Sequence, residues 1–176
     1  MIVKGRVQAN EAARSCAEVL IASRPDWAAY ARVEKIDGLD WVDLSFPNEK
    51  AIGPLTVEFD IDEISIFISR YHRHLYFGGE CGPHARVEAS RIMDGLLTEG
   101  LLVAIILDGE EWLGSGLIEK HAAKQLTPAA NADCELAIQS WSGHHDRRIP
   151  IVRKNCKSLF DLRPVDMPDF GRGDAQ

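Results

Sequence analysis

The sequence predicts an α+β fold: a single domain with a mostly antiparallel sheet and two principal helices packed on it. Three observations predict it. Two stretches repeat apolar residues at helical spacing, several others alternate with period two, and the two kinds fall in clusters without strict succession. At 176 residues and 45% hydrophobic, the chain can bury a real core and suits one domain. That domain is expected over 1–161, followed by a flexible C-terminal tail over 162–176 that holds Pro164, Pro168, Gly171 and Gly173.

The elements follow in order. Ala13, Cys16, Ala17, Leu20 and Ile21 form one apolar stripe at helical spacing, which predicts a helix over 11–22. Asn10 is its expected N-cap, and Arg24-Pro25 closes it because proline disfavours α geometry in the residue before it. "YARVEKI" (30–36) and "LDWVDLSF" (39–46) read as strands joined by Asp37-Gly38, a dipeptide suited to a tight hairpin turn. Val42, Leu44 and Phe46 share one side of the second strand. In "LTVEFDIDEISIFIS" the apolar parity slips at Asp62-Glu63, so a turn or bulge is expected there.

Apolar residues at 89, 92, 93, 96 and 97 predict a second helix over 85–99, ended by Gly100. "LLVAIIL" (101–107) is the expected buried strand, and Asp108-Gly109 turns it into the strand "EWLGSGLIEK". A short helix or loop then runs to Pro128, and "CELAIQSW" (134–141) is a further strand.

The longest apolar run, "LLVAIIL", is far too short to cross a membrane, and the polar start lacks the apolar core of a signal peptide. The four cysteines, Cys16, Cys81, Cys134 and Cys156, are widely spread. Reduced thiols in a cytoplasmic protein are therefore expected.

Charge is unevenly placed. The net charge is −7, and the stretch from Asp37 to Glu63 carries eight acids against Lys50 alone. From His144 to Lys157 the balance reverses, with five basic residues against Asp146. One reading is a solvated face that keeps the protein soluble. The sharper reading is an acidic surface that attracts a basic protein and repels nucleic acid. Its expected contact residues are Asp37, Asp40, Trp41, Asp43, Glu58 and Asp60, with Trp41 as an aromatic anchor or a cover for the sheet's other side.

Two histidine clusters raise other chemistry. "SRYHRHLYFGGECGPH" (69–84) gathers three of six histidines and one cysteine. If the strand through Ile68 ran on to Leu75, His72 and His74 would share the face of Ile64, Ile66 and Ile68. Cys81 and His84 could then fold back to complete four metal ligands. The competing reading is a strand end whose imidazoles bond to backbone or carboxylate. In "SWSGHHDRR" (140–148), His144 or His145 with Asp146 could form a general base and its orienting partner, but no nucleophile is marked nearby. "LGSGL" is neither a nucleophile elbow nor a dinucleotide fingerprint, and no cofactor is expected.

The segments "YHRHL", "EASRIMDGLLTEG", "GEEWLGSG" and "IQSWSGHHDR" together resemble those of small bacterial immunity proteins. These accompany polymorphic or contact-dependent toxins, and the resemblance covers about residues 55–150. It implies a non-enzymatic cytoplasmic inhibitor that binds a cognate protein toxin, with neither nucleic acid nor membrane as a partner. The alternative is a small metal-dependent or histidine-based enzyme using His72, His74 and His84.

Overall fold

In the computed structural model of the chain, residues 2–36, 39–60, 63–76 and 83–153 are described, with side chains from Ala13 onward except at 34–36 and 39–41. The fold is α+β. The expected antiparallel sheet is divided in two, a five-stranded sheet from the first half of the chain and a four-stranded sheet from the second.

Helix α1 (Ile2–Ser23) is longer than its stripe predicts, and Asn10 lies inside it instead of capping it. The cause is that the turns before Ala13 carry no apolar stripe that sequence periodicity could detect. Ala13, Cys16, Ala17 and Leu20 are buried as expected. At Arg24 the backbone leaves helical geometry, and a 3-10 turn (Pro25–Tyr30) starts with proline at its first position. That turn buries Trp27, whose ring meets Phe46 edge-on at 5.8 Å and carries the Arg24 guanidinium 4.5 Å from its centroid. Arg24 also forms an ion pair with Asp94.

Strands β1 (Ala31–Ile36), β2 (Leu39–Phe46), β3 (Leu55–Phe59), β4 (Glu63–Ile68) and β5 (Tyr71–Tyr76) form an antiparallel meander in chain order. The expected first hairpin is present, with Ile36 opposite Leu39; its Asp37-Gly38 link lies outside the described residues. The expected break in parity is the β3–β4 hairpin, with Phe59 opposite Ile64.

Strand β4 does not run on to Leu75. Ser69 takes a left-handed conformation (φ 53°), and the chain reverses through Ser69-Arg70 into β5. The two-residue reversal inverts the parity expected for β5, because Ile68 now stands opposite Tyr71 and Phe67 opposite His72. Tyr71 and Leu75 join Ile64, Ile66 and Ile68 in the core, whereas His72 and His74 are exposed with Phe67 and Ser65 on the other face. Burial of Tyr71 pushes its phenol up to about 12.

Helix α2 (Pro83–Leu97) buries Ala85, Ala89, Ile92, Met93 and Leu96. The residue that ends it in left-handed geometry is Glu99 (φ 59°), not the expected Gly100. Strands β6 (Leu101–Asp108), β7 (Glu111–Glu119), β8 (Cys134–Gln139) and β9 (Arg147–Ile151) form the second sheet in the order β7-β6-β8-β9. Helix α3 (Lys120–Gln125) separates β7 from β8. Strand β9 was not expected. It holds Pro150 at the sheet edge, where proline's missing N–H costs no ladder bond.

One core joins the sheets. Leu44, Val57, Ile66 and Phe59 cluster with α1, α2 and the β6 residues Val103, Ile105 and Leu107. The opposite face of β6 packs Leu102, Ala104 and Ile106 with Leu136, Ile149 and Ala123 of α3. Hydrogen bonds reinforce the joint: Ser69 Oγ donates to Gln139 Oε1 (2.6 Å), Ser115 Oγ to the Arg70 carbonyl (2.7 Å), and Asn48 Nδ2 to the Trp141 carbonyl (2.7 Å).

The cysteines depart from expectation. Cys16, fully buried on α1, is disulfide-bonded. Cys134 is a buried thiol whose Sγ donates to the Ile151 carbonyl (3.7 Å). No helix among the described residues is long and apolar enough to cross a membrane.

The α2–β6 reversal depends on Gly95. A Cβ at that position would stand 2.5 Å from Leu101 Cδ1 and 2.6 Å from its Cγ. Gly95→Val should therefore lower unfolding stability by about 1–3 kcal/mol through overpacking. Urea unfolding measures this as a reduced midpoint at constant slope; an unchanged midpoint would show that β6 does not press on α2 there.

Candidate functional site

The five-stranded sheet has two unlike faces. Its inner face holds Leu44, Phe46, Leu55, Val57, Phe59, Ile64, Ile66 and Ile68, all buried under α1, α2 and β6. The alternate residues turn the other way, and among the described residues no helix or strand is layered on that face. Register places them in rows. Arg32, Asp43, Glu58, Ser65 and His74 form one row across all five strands; Ser45, Thr56, Phe67 and His72 form the next.

The acidic centre of this face is Asp43 opposite Glu58 across the β2–β3 pair. Like charges directly opposite destabilise a sheet. Glu58 is exposed and makes no ion pair with another described residue, while Asp60 follows β3 and is also exposed. β1 brings one cation to this face, with Arg32 opposite Asp43. Of the remaining expected contact residues, Asp40 and Trp41 lie in β2 opposite Lys35 and Glu34, but their side chains are outside the described set. Asp37 lies outside the described residues altogether.

The other half of the face is aromatic, a feature that sequence reasoning missed. Phe67 and His72 stack at 6.4 Å, His72 meets His74 edge-on at 5.4 Å, and His74 stacks on Tyr76 at 6.2 Å. Tyr76 is 71% exposed. Beyond the ladder, Trp112 of β7 is 45% exposed and shares a shallow groove of about 610 Å³ with Phe67, His72, Arg70 and Glu110. The signal for the ladder was present in the spacing of Phe67, His72, His74 and Tyr76, but it could be read only once the Ser69-Arg70 reversal fixed the parity.

A polar network sits beside the ladder. Ser65 Oγ donates to Glu63 Oε1 at 2.8 Å, and His74 Nδ1 lies 2.8 Å from Ser65 Oγ and 3.0 Å from Glu63 Oε1. Serine and carboxylate meet the same ring nitrogen, so they do not form a nucleophile–base–orienter relay, which needs opposite nitrogens. Burial alone would raise the Glu63 carboxyl, but hydrogen bonds from Ser65 and His74 outweigh it and hold the group below the usual range.

The residues proposed as metal ligands are partly separated. His72 and His74 stand together on β5, Cys81 lies outside the described residues, and His84 occupies the first turn of α2. Among the described residues no three of His, Cys, Asp and Glu converge on one point.

The second histidine cluster is a built turn. Asp146 Oδ1 accepts from the Ser140 backbone N–H (2.7 Å) and from Ser140 Oγ (3.1 Å), and Ser140 Oγ accepts from the His145 N–H (3.0 Å). Asp146 thus orients the turn and not a histidine. His145 Nε2 instead faces Glu99 Oε2 at 3.5 Å, and Glu99 Oε1 accepts from the Ser142 N–H at 2.6 Å. Burial would raise the Glu99 carboxyl; hydrogen bonding from Ser142, with His145 and Lys120 nearby, outweighs this and lowers it.

Comparison with known protein families, curated protein sequences and solved structures finds no match to this chain.

The depressed Glu99 carboxyl makes a pH prediction. A folded-state value below the unfolded one gives stability that is present above the unfolded value and is lost as pH falls through the folded one. Wild-type protein should therefore lose stability below about pH 4.5, the ordinary carboxyl value. Glu99→Gln should be less stable at pH 6, with a shallower loss toward pH 3. Parallel urea midpoints for both proteins across that range would contradict the assignment.

Proposed function

We propose that the chain is a binding protein of the immunity type, which captures a cognate bacterial toxin on the outer face of its five-stranded sheet. The observation that carries this reading is the pairing of Asp43 with Glu58 at the centre of that face, beside an exposed aromatic shelf. Carboxylates directly opposite each other repel across a strand pair. A cationic partner group placed beside the exposed Glu58 would offset that repulsion.

The two halves of the face serve different terms of binding. The carboxylates steer a basic surface and raise the association rate, an effect that weakens with salt. Tyr76, Trp112 and the Phe67–His72 stack offer the large, rigid contacts that hold a complex once it forms. A toxin that acts on nucleic acid presents a basic active site, and a carboxylate face can occupy it in place of phosphate. The resemblance of "YHRHL" and "GEEWLGSG" to immunity-protein segments agrees with this use, because those segments are β5 and the turn into β7, which carry the aromatic shelf.

The toxin co-purified from the native host supplies the test. Asp43→Lys combined with Glu58→Lys should slow association at least 10-fold at low salt and flatten its dependence on ionic strength. Tyr76→Ala should act mainly on dissociation. Unchanged association kinetics in the charge-reversed protein would remove this face from the interaction.

A further inference from the structure

The second sheet carries a site of opposite sign. Under α3, a pocket of about 180 Å³ is lined by Lys120, Lys124, His144, His145, Asp146 and Arg147, with Leu102 and Ala123 as its apolar floor. Three permanent cations and two imidazoles therefore face one concavity in a chain whose net charge is −7.

Those cations outnumber the carboxylates around them, which are Asp146 in the lining and Glu99 near Lys120 and His145. Lys120 and Lys124 form no ion pair with another described residue. Arg147 donates through Nη2 to the Ala123 carbonyl at the end of α3, which uses one of its five N–H donors. The one carboxylate in the lining, Asp146, is already committed to the Ser140 N–H and hydroxyl. Glu99, behind His145, is held by the Ser142 N–H. Three cations against two carboxylates leave a net positive charge, and its repulsion grows where the wall is apolar.

From this geometry we infer that the pocket binds a tetrahedral oxyanion: inorganic phosphate, or the phosphoryl end of a small phosphomonoester. Size selects this class. The volume lies below the roughly 300–1,000 Å³ of pockets that enclose drug-sized ligands. The donors suit it too. A guanidinium fork and two ammonium groups are the groups that best recognise phosphoryl oxygens. The turn from Ser140 to Asp146 fixes His144 and His145 at the rim through its own hydrogen bonds, so this side of the pocket is preformed.

Titration of the full-length, ¹⁵N-labelled protein with sodium phosphate, at ionic strength held constant with sodium chloride, tests the site. Saturable shifts are expected in the amides of 120–124 and 144–147. Lys120→Gln with Lys124→Gln should weaken binding at least 10-fold, whereas Lys50→Gln, which removes an exposed cation elsewhere, should change it less than 2-fold. A parallel titration with methyl phosphate separates the two sources. Tighter binding of the ester identifies a phosphomonoester as the ligand, and tighter binding of the free ion identifies phosphate. Shifts that stay linear, or equal weakening by Lys50→Gln, would overturn the site. So would a double variant that keeps a dispersed spectrum and binds as wild type.

Discussion

One-sided burial of the five-stranded sheet is the constraint on which the rest of the structure depends. Val42, Leu44 and Phe46 of β2 and every second residue of β3 and β4 are large apolar side chains with almost no exposure, and burying each contributes about 1.5–3 kcal/mol. Slipping any strand by one residue would send that set into water and bring carboxylates and imidazoles into the core. Register is therefore fixed chiefly by the inner face, and the outer face is freer to carry polar and charged residues. Opposed Asp43 and Glu58 are tolerable on such a face because the core opposite them sets the pairing.

Helix α2 and the reversal after it extend this constraint to the second half of the chain. The helix covers the inner face of the first sheet, then turns at Glu99 so that β6 returns against it at Gly95. Left-handed backbone at a non-glycine residue costs on the order of 1–3 kcal/mol and persists only where its surroundings impose it. Here the Glu99 side chain is held by the Ser142 N–H and faces His145. The same residue thus ends the helix and anchors the turn at the mouth of the cationic pocket. Acidic sheet face and cationic pocket belong to different sheets, so a chain of net charge −7 can still gather three cations that form no ion pair among the described residues.

Much of the scaffold was legible because its signals are local. Alternation marked β2 and β3, helical spacing marked the buried stripes of α1 and α2, and Asp37-Gly38 marked the first hairpin. What escaped notice depended on contacts distant in sequence or on single turns. Residues 2–12 continue α1 without an apolar stripe, and β9 is a five-residue edge strand containing proline. The Ser69-Arg70 reversal mattered most. "EISIFISRYHRHLY" has no glycine or proline to announce a turn, and Ser69 makes it in left-handed geometry. Treating the stretch as continuous put His72 and His74 on the wrong face and hid the aromatic ladder. Cys16 shows a similar limit, since a lone cysteine on a helix gives no sign of its partner. In the charged sites, sequence located the acids around Asp43 and Glu58 but could not bring Lys120 and Lys124 to Arg147, which α3 and β9 place together.

The claim that the outer face of the five-stranded sheet is the working surface is tested most directly by carboxylate footprinting. Carbodiimide labelling of the protein alone, and then of the complex recovered from its host, reads the exposure of Asp43, Glu58 and Asp60 against that of Glu111 and Glu135 on the second sheet. Loss of labelling at the first three, with the second pair unchanged, is the predicted result. Equal labelling of Asp43 and Glu58 in the free and bound protein would contradict the account.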